Sequence, residues 1–221
     1  MNIFNIIGPV MIGPSSSHTA GAARIGKVAS IILGAPVKSA RVFFSGSFAS
    51  TYKGHGTDRA VAGGLMGFMP YDQRIRNSLS LAEKQGMEIG FGIMQLQEYH
   101  PNTMMLELKD KKDKTLRLIA SSVGGGSILI KRINDYDVDF NAESNTLLVP
   151  HEDRPGMVAK TAVILAKGSI NIAGMKVFRS RRGGSAIMVI ETDEDIPPEI
   201  LKALERVKYV VKPIYIESVG I

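Results

Sequence analysis

The most legible pattern of apolar and polar positions lies in the last third of the chain. Thr146 to Val149 is a short apolar strand, and His151 to Gly156 is a polar turn. Val158, Ala162, Leu165 and Ala166 then recur at helical spacing between Met157 and Lys167, with Gly168 placed to cap that helix. Ile170 to Phe178 predicts a strand interrupted by Gly174, Arg181 to Gly184 a hairpin turn, and Ala186 to Ile190 a buried strand. Pro197 and Pro198 open a helix through Lys208, since proline suits a first helical turn, and Val210 to Ile216 closes with a strand. The order βαββαβ predicts a ferredoxin-like split unit. That order speaks to fold and says little of function.

Residues 1–140 alternate less cleanly. A helix is expected from about Thr19 to Gly21 through Leu33, with Ile25, Val28, Ala29 and Ile32 on one face. Val42 to Phe44 reads as a strand. Thr57 reads as the cap of a second helix through Leu65 or Gly67, and Ile75 to Gln85 as a third ended by Gly86. Strands follow at Ile89 to Gln95, Thr103 to Leu108, Leu116 to Ile119 and Ile128 to Ile133, the middle pair joined by a hairpin turn at Asp110 to Lys114. This part is α+β or mixed α/β. Asp135 to Asn145 is polar and is the expected linker between the two parts.

Composition narrows the chemistry. The chain has 221 residues, 44% hydrophobic and 22% charged, ordinary for a globular protein with a sizeable core. It has no cysteine, which excludes disulfides, catalytic thiolates and any iron–sulfur cluster held by this chain alone. The net charge of +6 is spread along the whole length. Its densest clusters, Lys109 to Lys114 and Arg179 to Arg182, read as solvated hairpin turns rather than a nucleic-acid surface. Met1 to Ala23 carries no formal charge, lacks a positive leading region and is broken by Gly8, Pro9, Gly13 and Pro14, so it is not expected to act as an export signal. Apolar runs such as Val28 to Val37 stop at about ten residues, too short to span a bilayer. No membrane association and a cytoplasmic location are expected.

Three constellations have the residue types that chemistry needs. The first is Gly13-Pro14-Ser15-Ser16-Ser17-His18-Thr19-Ala20-Gly21 at a helix start. Unpaired N–H groups, a partial positive charge and four hydroxyls suit a carboxylate or phosphate, and a histidine moves protons near neutral pH. The bland alternative is an over-provisioned helix cap. The second is Ser45-Gly46-Ser47 followed by Lys53-Gly54-His55-Gly56-Thr57-Asp58, between a strand and a helix, where α/β proteins place ligands. Its alternative is a glycine-rich loop with an exposed histidine. The third is Ser122-Val123-Gly124-Gly125-Gly126-Ser127, the natural place to look for pyridoxal phosphate or a nucleotide. It has no Walker lysine and lies between strands, so a bulge or tight backbone crossing is the better reading.

The other histidines carry less. His100 precedes Pro101 in a turn, and His151 lies beside Glu152 and Asp153; both are expected at the surface, and the four histidines lack metal-ligand spacing. In the last third, Asp153-Arg154-Pro155-Gly156-Met157 and the strand start Asn171-Ile172 could receive a small amino acid, or could simply pack.

GPSSSHTAG, KGHGTDRA and SVGGGS, in this order, resemble the beta chains of the two-subunit, iron–sulfur-dependent L-serine dehydratases of bacteria. TLLVPHEDRPGMVAK and INIAGM resemble an ACT domain, a small-molecule-sensing module. The first part also resembles the allosteric substrate-binding domain of some D-3-phosphoglycerate dehydrogenases. The resemblance implies an α+β fold: a mixed α/β allosteric-substrate-binding-like domain over residues 1–144 and a βαββαβ ferredoxin-like ACT domain over residues 146–221. It implies conversion of L-serine to pyruvate and ammonia, with a partner alpha chain whose cysteines carry a [4Fe-4S] cluster that acts as Lewis acid on the serine hydroxyl. This chain itself would hold no metal.

On that reading His18 and His55 serve in proton transfer or in fixing the substrate, with His55 preferred as the base for the α-proton. Ser15, Ser16, Ser17, Thr19 and Ser47 would bind the substrate. Asp153, Pro155, Gly156, Asn171 and Ile172 would form an effector site, and the ACT domain would regulate or pair two copies edge to edge. Two rivals stand beside this reading: a pyridoxal-phosphate dehydratase acting alone, for which no convincing lysine motif is present, and a non-enzymatic amino-acid sensor built from the same two domains.

Overall fold

The apolar stripe of the first helix is realised at Gly21–Leu33 (α1), which buries Ile25, Val28, Ala29 and Ile32 and ends at Gly34 in the left-handed region, φ 73°. The structure is a computed structural model that describes residues 10–220. After α1 come Val37–Gly46 (β1), Ser47–Thr51 (α2), Thr57–Leu65 (α3), a 3₁₀ turn at Gln73–Asn77 and Ser78–Lys84 (α4). Strands then follow at Glu88–Ile93 (β2), Asn102–Asp110 (β3), Thr115–Gly124 (β4), Ser127–Ile133 (β5) and Tyr136–Phe140 (β6). They form a mixed sheet in the order β2-β1-β3-β4-β5-β6, with β1 parallel to β2 and antiparallel to β3. Phe44, near the end of β1, is fully buried and stacks on Tyr52 (4.8 Å between ring centroids) and Phe91 (5.9 Å).

Two helices meet without side chains between them. A β-carbon on Gly64 would collide with the carbonyl of Ala23, and one on Gly26 would lie 2.5 Å from the carbonyl oxygen of Val61. Backbone-to-backbone contact of this kind needs glycine on both sides. It lays α1 directly against α3.

By its contacts the chain separates into two compact units, one ending at Asn134 and the other spanning Asp135–Gly220. In the second, Asn145–Glu152 (β7), Met157–Lys167 (α5), Ile172–Arg179 (β8), Ser185–Thr192 (β9), Pro198–Glu205 (α6) and Ile214–Ile216 (β10) follow in the predicted order. The antiparallel sheet β10-β7-β9-β8 is the ferredoxin-like arrangement. Its core includes Leu147, Met157, Leu165, Met188, Ile190 and Leu204. Each such side chain, when fully buried, contributes roughly 1.5–3 kcal/mol. Among the described residues no helix is long and apolar enough to cross a membrane.

Several expectations need correction. Asp135 to Asn145 is not simply a linker, because Tyr136–Phe140 is a strand with Val138 and Phe140 buried. Thr57 does not cap α3: Gly56 takes the cap position in the left-handed region, φ 66°, and Thr57 is the first helical residue, fully buried. The third helix divides into a 3₁₀ turn and α4. The last helix stops at Glu205 and the last strand covers only Ile214–Ile216. His100 is exposed, but His151 is not: β7 runs on through it, pairing it with Ala186, and leaves it 3% accessible.

Candidate active site

Site residues of the first unit are carried by two neighbouring helix starts and one strand end. Before α1, Ser16–Ala20 forms a single π-helical turn in which the N–H of Gly21 donates to the carbonyl of Ser16. Turns of this width are rare and recur at functional sites. Here the turn directs His18 and Thr19 inward, leaving them 9% and 1% accessible. Ser15 caps it, its hydroxyl accepting from the backbone N–H of His18 at 3.2 Å.

Strand β1 ends at Gly46 with φ 56° and ψ −126°, a conformation for glycine, and any β-carbon there would strike the carbonyl of Pro101. The N–H of Ser47 donates to that same carbonyl at 2.8 Å. Ser47 is thereby fixed at the carboxyl end of β1, with its Oγ 3.2 Å from Nε2 of His18. On the other side of the ring, Nδ1 of His18 lies 3.2 Å from Ser15 Oγ and 3.1 Å from Ser17 Oγ. Phe48 packs edge-on against the imidazole at 5.2 Å.

His55 comes from the turn before α3. Its N–H donates to the carbonyl of Thr51, and its own carbonyl accepts from Thr19 Oγ1 at 3.1 Å. Its ring centroid stands 4.7 Å from that of His18, inclined at 64°. Nδ1 of His55 is buried with no hydrogen-bond partner in the chain. Burial lowers the pKa of His18, and the neighbouring His55 lowers it further, so His18 is neutral near pH 7.

The structure therefore brings Ser15, Ser17, His18, Thr19, Ser47 and His55 together. Ser16 serves the π turn through its carbonyl. Sequence reasoning missed Phe48, Pro101 and Asn102. Asn102 pairs with Gly46 across the sheet and its buried Oδ1 has no hydrogen-bond partner in the chain. Only strand pairing places the last two here, and no local motif announces that. The Ser122–Ser127 loop is a backbone crossing: the register shifts between Ser122 and Gly124, Arg24 Nη1 donates to the Gly126 carbonyl at 2.6 Å, and a side chain on Gly21 would collide with Ser122.

In the second unit the expected effector residues fall into two groups. Asp153 accepts from the N–H of Gly183 at 2.9 Å and faces Arg179 at 3.4 Å, with the exposed Pro155 and Gly156 beside it. Those bonds, the one from Gly183 foremost, hold its carboxyl below the usual range. Asn171 donates through its amide to Asp193 at 2.6 Å and through its backbone to Glu194 at 2.7 Å. Glu152 pairs with Ser185 and Ile172 with Thr192, so the two groups stand at opposite ends of β9 and do not meet within one chain. Among the described residues no group of three or more histidine, aspartate or glutamate side chains is placed to hold a metal.

Comparison with known proteins identifies the family. The family model for the serine dehydratase beta chain matches residues 2–132, and that for the ACT domain matches residues 146–208. The chain is 44% identical over 211 residues to a probable L-serine dehydratase beta chain of Bacillus subtilis, covering 96% of both. It is 34% identical to the L-serine dehydratase beta chain of Peptoniphilus asaccharolyticus, covering 97% of both. A D-3-phosphoglycerate dehydrogenase of Archaeoglobus fulgidus is 26% identical over 89% of this chain and 37% of its own length. The chain belongs to the serine dehydratase beta chain family and has an ACT domain at its C-terminal end.

Proposed function

We propose that this chain is the beta subunit of a cytoplasmic L-serine dehydratase and that, together with an alpha chain, it deaminates L-serine to pyruvate and ammonia. The convergence of His18, His55 and Ser47 at the end of β1 carries this reading, in a family whose relatives are described as L-serine dehydratase beta chains. The reaction has two difficulties: the α-proton of serine is weakly acidic, and hydroxide leaves poorly. A positioned base and a Lewis acid meet them separately.

In this reading His55 is the base. Its Nδ1 is buried, so Nε2 is the nitrogen that exchanges protons with substrate. Thr19 holds the His55 loop through its carbonyl, and Ser15 and Ser17 hold His18. The half-buried hydroxyl of Ser16 remains to bind the substrate's carboxylate or amino group, and the half-buried Ser47 meets the substrate from the end of β1. A [4Fe-4S] cluster does not fit this chain's own residues, which include no cysteine and, among those described, no metal-ligand cluster. The cluster belongs to the alpha chain, where it would supply the Lewis acid.

The ACT domain is assigned to dimerisation and effector sensing. Antiparallel pairing of the edge strand β8 with a second copy would set the Asp153 end of one module beside the Asn171 end of the other, joining the two groups that one chain keeps apart. In this reading the ACT domain begins at residue 146, where its family match begins, and residues 1–144 form the catalytic domain.

The experiment is a substitution series in the assembled two-chain enzyme. His55→Ala and His18→Ala are each expected to lower kcat by about 10²–10⁴ with the cluster spectrum intact. Near-normal kcat in both variants overturns the residue assignment. Deamination of serine by this chain alone overturns the division of work between the chains.

A further inference from the structure

His18 is held by hydroxyl groups on both of its ring nitrogens. Ser15 and Ser17 lie at 3.2 and 3.1 Å from Nδ1, and Ser47 at 3.2 Å from Nε2. A hydroxyl both donates and accepts. With the ring proton on Nε2, the imidazole donates to Ser47 and accepts from Ser17. With the proton on Nδ1, it donates to Ser15 or Ser17 and accepts from Ser47. Both neutral tautomers are fully satisfied.

His151 shows the contrast within the same chain. Its Nδ1 lies 2.8 Å from the carbonyl oxygen of Val149, which can only accept, so the proton is fixed on Nδ1. A ring fixed in that way cannot pass a proton from one nitrogen to the other without breaking its bond. His18 can, because neither side prefers a tautomer.

The row has two ends. Ser15 and Ser17, 3.3 Å apart and half-buried, form one. Ser47, half-buried on the glycine turn at the end of β1, forms the other, and His55 and Phe48 both pack edge-on against the ring between the two ends. Burial of His18 against Phe48 and His55 favours the uncharged ring throughout.

We propose that Ser17, His18 and Ser47 form a proton relay in which the Ser47 hydroxyl, rather than the imidazole, meets the substrate. The direction of the relay rests on the dehydratase reading. As the substrate C–O bond breaks, Ser47 gives its hydroxyl proton to the departing oxygen, which leaves as water. The Nε2 proton of His18 replaces it on Ser47. Nδ1 takes the hydroxyl proton of Ser17, and Ser17 recovers one from solvent. The proton that His55 removes from the α-carbon returns to solvent, so no net charge accumulates. The imidazole finishes in its other tautomer and reverts when the row re-equilibrates with water after product leaves. Ser47 is then a catalytic residue, and His18 and Ser17 act through it.

The test has two readouts. In the full chain without a partner, labelled with ¹⁵N-histidine, both ring nitrogens of His18 are expected to show shifts midway between protonated and bare imidazole nitrogens, while His151 shows one of each. Ser47→Ala is expected to fix His18 with its proton on Nδ1. A fixed tautomer in the unsubstituted chain overturns the relay, whatever the enzyme does. In the assembled pair, Ser47→Ala is expected to lower kcat by about 10²-fold or more with KM little changed, and Ser47→Thr to restore most of it. A change confined to KM overturns the relay and leaves Ser47 a binding group. Failure of the unsubstituted pair to deaminate serine overturns the dehydratase reading instead, and the tautomer measurement still decides the proton row.

Discussion

Gly26 stands so close to Val61 that a β-carbon on the glycine would lie 2.5 Å from the valine carbonyl oxygen. Gly64 makes the reciprocal approach to Ala23. The crossing holds α1 and α3 together just behind the two turns that carry His18 and His55. Geometry at the site is thus set partly by residues with no side chain to contribute.

Gly26→Ala or Gly64→Ala is expected to destabilise the chain by about 1–3 kcal/mol or more, because backbone cannot yield as a flexible side chain can. Gly90→Ala is the control: it lies in a strand with open space where its β-carbon would go. Thermal unfolding should show a Tm several degrees lower for the first two and little change for the third. Equal Tm values for all three would mean that the helix pair adjusts freely.

His18 makes folding depend on pH in one direction. Its folded pKa is lowered by burial and by His55, against an ordinary value of 6.5. Below about 6.5 the unfolded chain takes up a proton that the folded ring resists, so stability is complete above that pH and declines as pH falls through the folded value. His18→Gln is expected to flatten the decline between pH 7 and 5, measured as the midpoint of urea unfolding. Asp153 titrates in a separate, more acidic window, because its carboxyl lies below the usual carboxylate range; its contribution is lost only as pH falls through that lowered value.

Asp153 ties the hairpin between β8 and β9 by accepting from Gly183. Asp153→Ala is expected to speed hydrogen exchange at the Gly183 amide while leaving amides in the middle of β9, such as that of Met188, protected. Unchanged exchange at Gly183 would show that the turn holds itself.

Tyr215 donates toward Asn145 at 2.9 Å and Asp195 at 3.0 Å, and burial followed by the Asp195 bond pushes its pKa up to about 12. Tyr215→Phe is expected to cost about 0.5–1.5 kcal/mol, read by urea unfolding. In the unsubstituted protein one tyrosine should ionise last in an alkaline absorbance titration, and that last step should vanish in the variant.

The second unit was readable from sequence because each of its strands is bounded by turn residues and each helix by proline or glycine. The first was less so, because β1 finds both neighbours far along the chain, β2 in parallel and β3 antiparallel. No local pattern encodes such pairing. Helix α2, five residues long, is too short to show a period. Strand β6 did carry a signal: Tyr136, Val138 and Phe140 alternate with aspartates, but the aspartates drew the reading toward a linker. His151 was misplaced for the same reason, its polarity outweighing the strand that contains it.

At the site, the run around His18 stood out because so many hydroxyls flank one imidazole, and Ser47 because it follows a strand. What the sequence could not show was direction. Ser15 and Thr19 turn toward the histidines and their loops rather than into open space, a fact set by the π turn and not by residue type.

Gly46 carries a lesson for transplanting this cluster. The hydroxyl that follows it is aimed by main-chain torsion and by a carbonyl from a distant segment, Pro101, so copying serines and histidines onto another scaffold would not reproduce the aim. A graft would have to bring both strands of that junction, and evolution could redirect the serine only by rebuilding the two together.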